Sequence, residues 1–110
     1  MATVLALSPT SLEAFSLPGE QWKPLQERPD YLVSNLGRVW GPRGLITPKV
    51  GERGYLRFSL PVDGHKLNKP VHREVCKAFH PDTYFPGAFA LHKNHVKTDC
   101  HESNLYWGTC

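Results

Sequence analysis

Apolar and polar positions along the chain fall into short elements with two different periods. Tyr31-Leu32-Val33-Ser34 and Arg38-Val39-Trp40 are β-favouring runs on either side of Asn35-Leu36-Gly37, whose Asn and Gly suit a turn, so the segment reads as a hairpin. Leu45-Ile46-Thr47-Pro48-Lys49-Val50 reads as one further short strand, moved to a sheet edge by Pro48. From Tyr55 to Leu60 the period is two, with Tyr55, Arg57 and Ser59 on one face and Leu56, Phe58 and Leu60 on the other. Asp63-Gly64 is a strong hairpin turn, and Lys66-Leu67-Asn68-Lys69 is the return strand, stopped by Pro70. The period then changes: Val71, Val75, Ala78 and Phe79 form one helical stripe, and Pro81 ends it. After a Pro/Gly/aromatic loop, Phe89–His92 and Asn104–Trp107 are strand-like and bracket a polar loop dense in His, Asp, Asn and Cys. There are no internal repeats.

This pattern predicts an α+β fold: a small antiparallel β region, one helix, and a terminal β-hairpin. Ten Pro and nine Gly in 110 residues favour turns and short elements over a helical bundle. That length allows one domain with at most a small appendage. Residues 1–20 read as a partly disordered extension, with one helical turn starting at Ser11.

The net charge of +3 matters less than where it lies. Residues 1–37 carry −2, residues 38–77 carry +6 and residues 78–110 carry −1. A basic middle suits an anionic partner, and nucleic acid is the commonest one. Three cysteines with no Cys-x-x-Cys pair argue against a disulfide framework or a standard zinc finger, and for reduced thiols in a cytoplasm. No apolar run is long enough to span a membrane, and the first residues lack the basic start of a signal peptide.

The chemistry concentrates in the polar loop. Metal-assisted phosphodiester cleavage needs a neutral His to take a proton from water and oxygen ligands to hold a hard cation. A hairpin whose first strand ends in His and whose loop carries Asn and Asp can supply them. His92, Lys97-Thr98, Asn104-Leu105 and Trp107-Gly108-Thr109 align without a gap with the pattern of HNH (His-Me finger, ββα-metal) endonucleases of phage and intron type, and the segment resembles that family. Val71-His72-Arg73 with Ala78-Phe79 and Pro81 resembles the helix preceding the family's hairpin. Trp22, with Tyr31-Leu32-Val33-Ser34-Asn35-Leu36-Gly37-Arg38-Val39, resembles a nuclease-associated modular domain. The three motifs come in family order, which divides the chain into an extension over 1–20, a nuclease-associated β domain over 21–70 and an HNH-like domain over 71–110.

The resemblance implies that His92 is the general base and that Asn104 holds the hairpin and orients that base. Arg53, Arg57, Lys66, Lys69 and Arg73 would track phosphates of double-stranded DNA. It also implies a divalent cofactor, Mg²⁺, Mn²⁺ or a transition metal. Two departures bear on that cofactor. Leu91 stands where the family places a metal-binding Asp or Asn, and the second family ligand falls beyond Cys110, so the closing helix reads as truncated or missing. One consequence is a metal held instead by some of His92, His95, Asp99 and His101, His92 and His95 being spaced H-x-x-H. The other is a catalytically degenerate phage protein on the same scaffold, binding DNA or a host protein from the host cytoplasm. Without a closing helix, Leu105 and Trp107 are expected to need cover from a partner or a homodimer mate.

Overall fold

The computed structural model describes residues 15–51 and 53–109. The helical turn expected at Ser11 and any role of Cys110 lie outside that range. Four short strands, β1 (Trp22–Pro24), β2 (Leu32–Ser34), β3 (Val39–Gly41) and β4 (Gly44–Ile46), make an antiparallel meander in chain order. A second antiparallel sheet holds β5 (Lys49–Val50), β6 (Leu56–Val62) and β7 (His65–Pro70). The helix α1 (Val71–Phe79) follows without a loop, and β8 (Phe89–His92) pairs with β9 (Leu105–Gly108) as a separate hairpin. The α+β expectation is met. Among the described residues no helix is long and apolar enough to cross a membrane.

The sequence pattern explains most of these elements. Val33 pairs with Val39 across β2–β3, and both are fully buried. The alternation in β6 turns Phe58 and Leu60 into the core and leaves Arg57 and Ser59 on the outer side. Asp63 (φ +50°) and Gly64 (φ +80°) form the two-residue turn, with both central residues left-handed as a type I′ hairpin requires. Pro70 closes β7 and serves as the helix N-cap in an extended conformation, which is natural for a residue whose fixed φ and missing N–H suit either boundary.

The strand expected over Leu45–Val50 is in fact two strands. Ile46 pairs with Val39 in the first sheet, whereas Lys49 pairs with Arg57 in the second. Pro48 cannot donate to a ladder, and the chain changes sheets there. A crossing between sheets looks like one continuous strand when only local propensity is read.

One apolar cluster joins β2, β3, β6, α1 and the β8–β9 hairpin. The helix packs on β2, β6, β7 and both hairpin strands. Cover from several sides buries Cys76 completely, although it lies off the helix's apolar stripe of Val71, Val75, Ala78 and Phe79. Burial pushes the Cys76 thiol up to about 12, and the Cys100 thiol likewise to about 12, so neither is a reactive thiolate.

The hairpin also differs from expectation. Leu105 (1 % exposed) and Trp107 (7 %) are sealed by their own chain. Trp107 Nε1 donates to the His80 carbonyl at the end of α1 (2.9 Å), and His80 Nε2 donates to the Glu102 carbonyl (2.7 Å). Strand alternation instead turns Phe89 and Tyr106 outward, where both are exposed.

At the other end, Phe15 and Ser16 lie against the meander. Phe15 packs on Trp40, and Ser16 accepts from Trp22 Nε1. Arg38 forms a forked pair with Glu20, whose side chain is fully covered.

Candidate active site

The register of the last hairpin, Ala90 with Trp107 and His92 with Leu105, directs these four side chains inward. His92 is therefore held at the strand end, 7 % exposed, where β8 opens into the polar loop. That loop is tied to itself. The Asn104 carbonyl accepts from the Lys93 N–H (2.7 Å), and Asn104 Oδ1 accepts from the Asn94 N–H (3.1 Å). Asn104 Nδ2 donates to Asn94 Oδ1 (2.9 Å) and to the Asp99 carbonyl (3.0 Å). Asn94 Nδ2 donates in turn to Asp99 Oδ2 (2.9 Å), and its Oδ1 accepts from Val96 N–H (2.9 Å). The loop has few apolar contacts to order it, so these amide bonds supply its geometry.

The β2–β3 turn grips the same loop from outside. The Asn35 carbonyl accepts from the Glu102 N–H (2.7 Å), and Asn35 Oδ1 accepts from the Gln21 N–H (2.7 Å). Gly37 lies directly against Cys100.

Three rings meet at the base of the loop. Tyr55 stacks on His72 (centroids 4.8 Å) and on His92 (5.8 Å), and His72 meets His92 at a tilt of 35° (4.9 Å). The Lys97 ammonium sits 5.0 Å from the Tyr55 ring centre and donates to the Arg53 carbonyl (2.7 Å). His92 shares a hydrogen bond with the Lys97 backbone, whereas its Nε2 is buried with no hydrogen-bond partner. A neutral ring that carries its proton on Nδ1 leaves the unpaired Nε2 with a free lone pair. Burial lowers the proton affinity of His92; Asp99 and the Lys97 carbonyl oppose this, and the Lys97 charge assists it. The ring is neutral at pH 7 and can accept a proton. A cavity of about 360 Å³ opens beside it, lined by Tyr55, His92, His95, Lys97, Tyr106 and Thr109 among others.

No family model matches the chain, and no curated protein matches it. Among solved structures, that of the HNH homing endonuclease I-HmuI, which binds and cleaves DNA, superposes with a TM-score of 0.75 at 29 % identity. The match covers 81 % of this chain and 52 % of that one, so the chain spans about half the length of that structure. The fold is HNH-like.

Within this HNH-like fold the sequence-derived site residues separate. His92 and Asn104 are brought into one unit, linked through the loop that carries the Lys97 carbonyl. The four metal candidates His92, His95, Asp99 and His101 are not gathered. Asp99 is engaged by Asn94 and by His101 Nδ1 (3.0 Å), and His95 is exposed on a left-handed backbone (φ +63°). Among the described residues no group of three or more His, Cys, Asp or Glu side chains is arranged to hold a metal ion. The described donor set therefore does not fit the cofactor that the resemblance implies.

The basic residues separate too. Arg57 and Lys66 lie on the outer side of β6–β7, through the pairs Lys49 with Arg57 and Pro61 with Lys66. A groove of about 520 Å³ there is lined by Lys49, Arg57, Ser59 and Asn68, and its neighbour contains Arg43 and Lys66. The Arg53 carbonyl accepts from Lys97 of the polar loop. Lys69 is bound to Glu27 (2.6 Å), and Arg73 lies over the Trp107 ring on another side of α1. Sequence reading missed Lys49, Lys97 and Tyr55 as site residues. For Lys49 the missing signal was strand register; for Tyr55 the alternation of β6 was visible, but the rings it meets come from distant segments.

Stability should fall in mild acid because of His72. Its burial, then the charges of His92, Arg57 and Arg73, push it down from 6.5 to about 4. The unfolded chain binds that proton more readily, so stability is complete above about pH 6.5 and is lost as pH falls to about 4. After discounting for partial exposure, the loss is on the order of 2 kcal/mol. Glu74, raised by burial, acts in the opposite direction, and His92 in the same one. Urea melts at about pH 7 and about pH 4.5 should show the drop in the wild type and a smaller one in His72→Phe. Equal drops would remove His72 as the cause.

Proposed function

We propose that the chain is an HNH-type nuclease acting on double-stranded DNA, with His92 as the base that activates water. The observation that carries this reading is the state of His92: buried at the strand end, neutral, and with Nε2 unpaired. The proton of the attacking water goes to Nε2 as the oxygen bonds to phosphorus, and the departing deoxyribose oxygen takes a proton from solvent. Asn104 keeps the loop, and with it the Lys97 carbonyl, in place. The likeness to I-HmuI supports the DNA substrate, and residues 21–70 would act as the DNA-contacting module. Divalent-metal dependence belongs to this proposal as a requirement to be measured, since the described residues do not form a ligand set.

A second reading is a catalytically degenerate DNA-binding module, favoured by Leu91 and by the ungathered ligand candidates. Supercoiled-plasmid nicking with Mg²⁺, Mn²⁺, Ni²⁺ or EDTA separates the two, run beside His92→Ala. Nicking that drops about 1,000-fold in the variant supports the nuclease. No nicking by folded protein that still shifts DNA supports the module.

The phosphate contacts give a further expectation. Arg57→Ala and Lys66→Ala should each lower the slope of log K against log salt by about 1. Lys69→Ala should leave that slope nearly unchanged, because Glu27 already neutralises Lys69. Equal effects at all three positions would mean that the outer face of β6–β7 does not set the contact.

A further inference from the structure

Among the described residues, the buried side-chain nitrogens and oxygens without a hydrogen-bond partner are His72 Nδ1 and His92 Nε2. They belong to adjacent rings from different elements, α1 and β8, with centroids 4.9 Å apart. An unpaired buried polar group costs about 1–3 kcal/mol. An apolar ring at position 72 would fill the space between Tyr55 and His92 without that cost. Packing therefore accounts for the ring at 72 and not for its nitrogen. Because the two atoms belong to neighbouring rings, one small polar partner can serve both.

We propose that His72 is a positioning residue that holds the nucleophilic water against His92, its Nδ1 accepting one water hydrogen while His92 Nε2 accepts the other. This rests on the reading of His92 as the base. A water about 2.8 Å from each nitrogen bridges atoms up to about 5.6 Å apart, and its hydrogen bonds bend further than metal ligation does. Both rings are neutral at pH 7, so each carries one nitrogen lone pair, and the proposal requires the His72 tautomer that has it on Nδ1. With its hydrogens directed to the two imidazoles, the water oxygen keeps its own lone pairs for phosphorus. In the reaction the O–H bond to His92 breaks, the proton passes to Nε2, and the O–P bond forms. The P–O bond to the leaving group breaks, and that oxygen is protonated by solvent. His72 takes no proton and loses none. It lies behind Tyr55 and His92 and is not among the residues lining the cavity, so its role runs through the water.

Two variants separate the nitrogen from the ring. His72→Phe keeps an aromatic face and removes the acceptor; His72→Asn keeps an acceptor near Nδ1 and removes the ring. Under the proposal, plasmid nicking by His72→Phe loses about 100-fold in kcat with KM unchanged and thermal stability kept. His72→Asn recovers at least about a tenth of the wild-type rate. Wild-type kcat in His72→Phe, or a loss in His72→Asn as deep as in His72→Phe, overturns it.

A measurement independent of cleavage completes the test. Water–protein cross-relaxation in NMR should show one long-lived water near both ring proton sets, absent in His72→Phe. If the wild type does not nick DNA but this water is present, the nuclease reading fails and the shared water site stands. If nicking holds and no such water is seen, the inference falls alone.

Discussion

Gly37→Ala should destabilise the protein by about 3 kcal/mol and lower Tm by roughly 10–20 °C. Two costs combine. Gly37 has φ +87°, a conformation that costs a residue with a Cβ about 1 kcal/mol. Its Cβ would also lie 2.7 Å from Cys100 Cβ, 2.8 Å from the Cys100 carbonyl oxygen and 2.9 Å from the carbonyl carbon. Two of these are backbone atoms of the polar loop and cannot move aside as a side-chain tip would. Gly64→Ala is the control. Gly64 has φ +80°, and a Cβ there meets nothing within 4 Å, so it bears only the conformational cost. Urea or thermal melts of both variants read the difference. Equal losses would mean that the close approach of the β2–β3 turn to Cys100 does not matter.

Asn104→Ala is the second large effect. It removes three side-chain hydrogen bonds, from Asn94 N–H, to Asn94 Oδ1 and to the Asp99 carbonyl. At about 1 kcal/mol each, the expected loss is about 3 kcal/mol. The effect on nicking should exceed the effect on folding, because the loop also presents the Lys97 backbone and Asp99, both of which favour a proton on His92. Asn104→Asp should not rescue it. A carboxylate keeps the bond from Asn94 N–H but donates nothing, and it faces Asn94 Oδ1 and the Asp99 carbonyl. Wild-type nicking and stability in Asn104→Ala would show that the loop is held by other contacts.

Both effects involve residues whose types were visible in the sequence and whose partners were not. Asn35-Leu36-Gly37 was legible as a turn, because Gly and Asn tolerate left-handed backbone. That the turn docks on residues 100–102 was not, since those residues are more than sixty positions away. His92 and Asn104 stood out through the resemblance to the HNH pattern, and in the structure they flank one loop. The ligand set drawn from His92, His95, Asp99 and His101 did not survive, because H-x-x-H spacing says nothing about where loop side chains point. Here Asn94 and Asn104 claim the loop's hydrogen bonds, Asp99 included.

By itself the sequence determined the alternating faces of β6, which runs on to Val62 instead of ending at Leu60, the Asp63-Gly64 turn and the extent of α1, because periodicity and turn chemistry are local properties of a chain. It also determined the sign of the middle segment and the amide-rich character of the loop. Only the tertiary structure decided that Leu45–Val50 divides between two sheets and that Cys76, Leu105 and Trp107 are sealed within the chain. It also decided which cations stay free and which are taken by Glu27. The gathering of Tyr55, His72 and His92 is of the same kind. They belong to three separate segments, and burial among them is what strips two imidazoles of water and leaves their nitrogens unpaired. Desolvation and ring contact depend on where segments pack, and no local pattern encodes that.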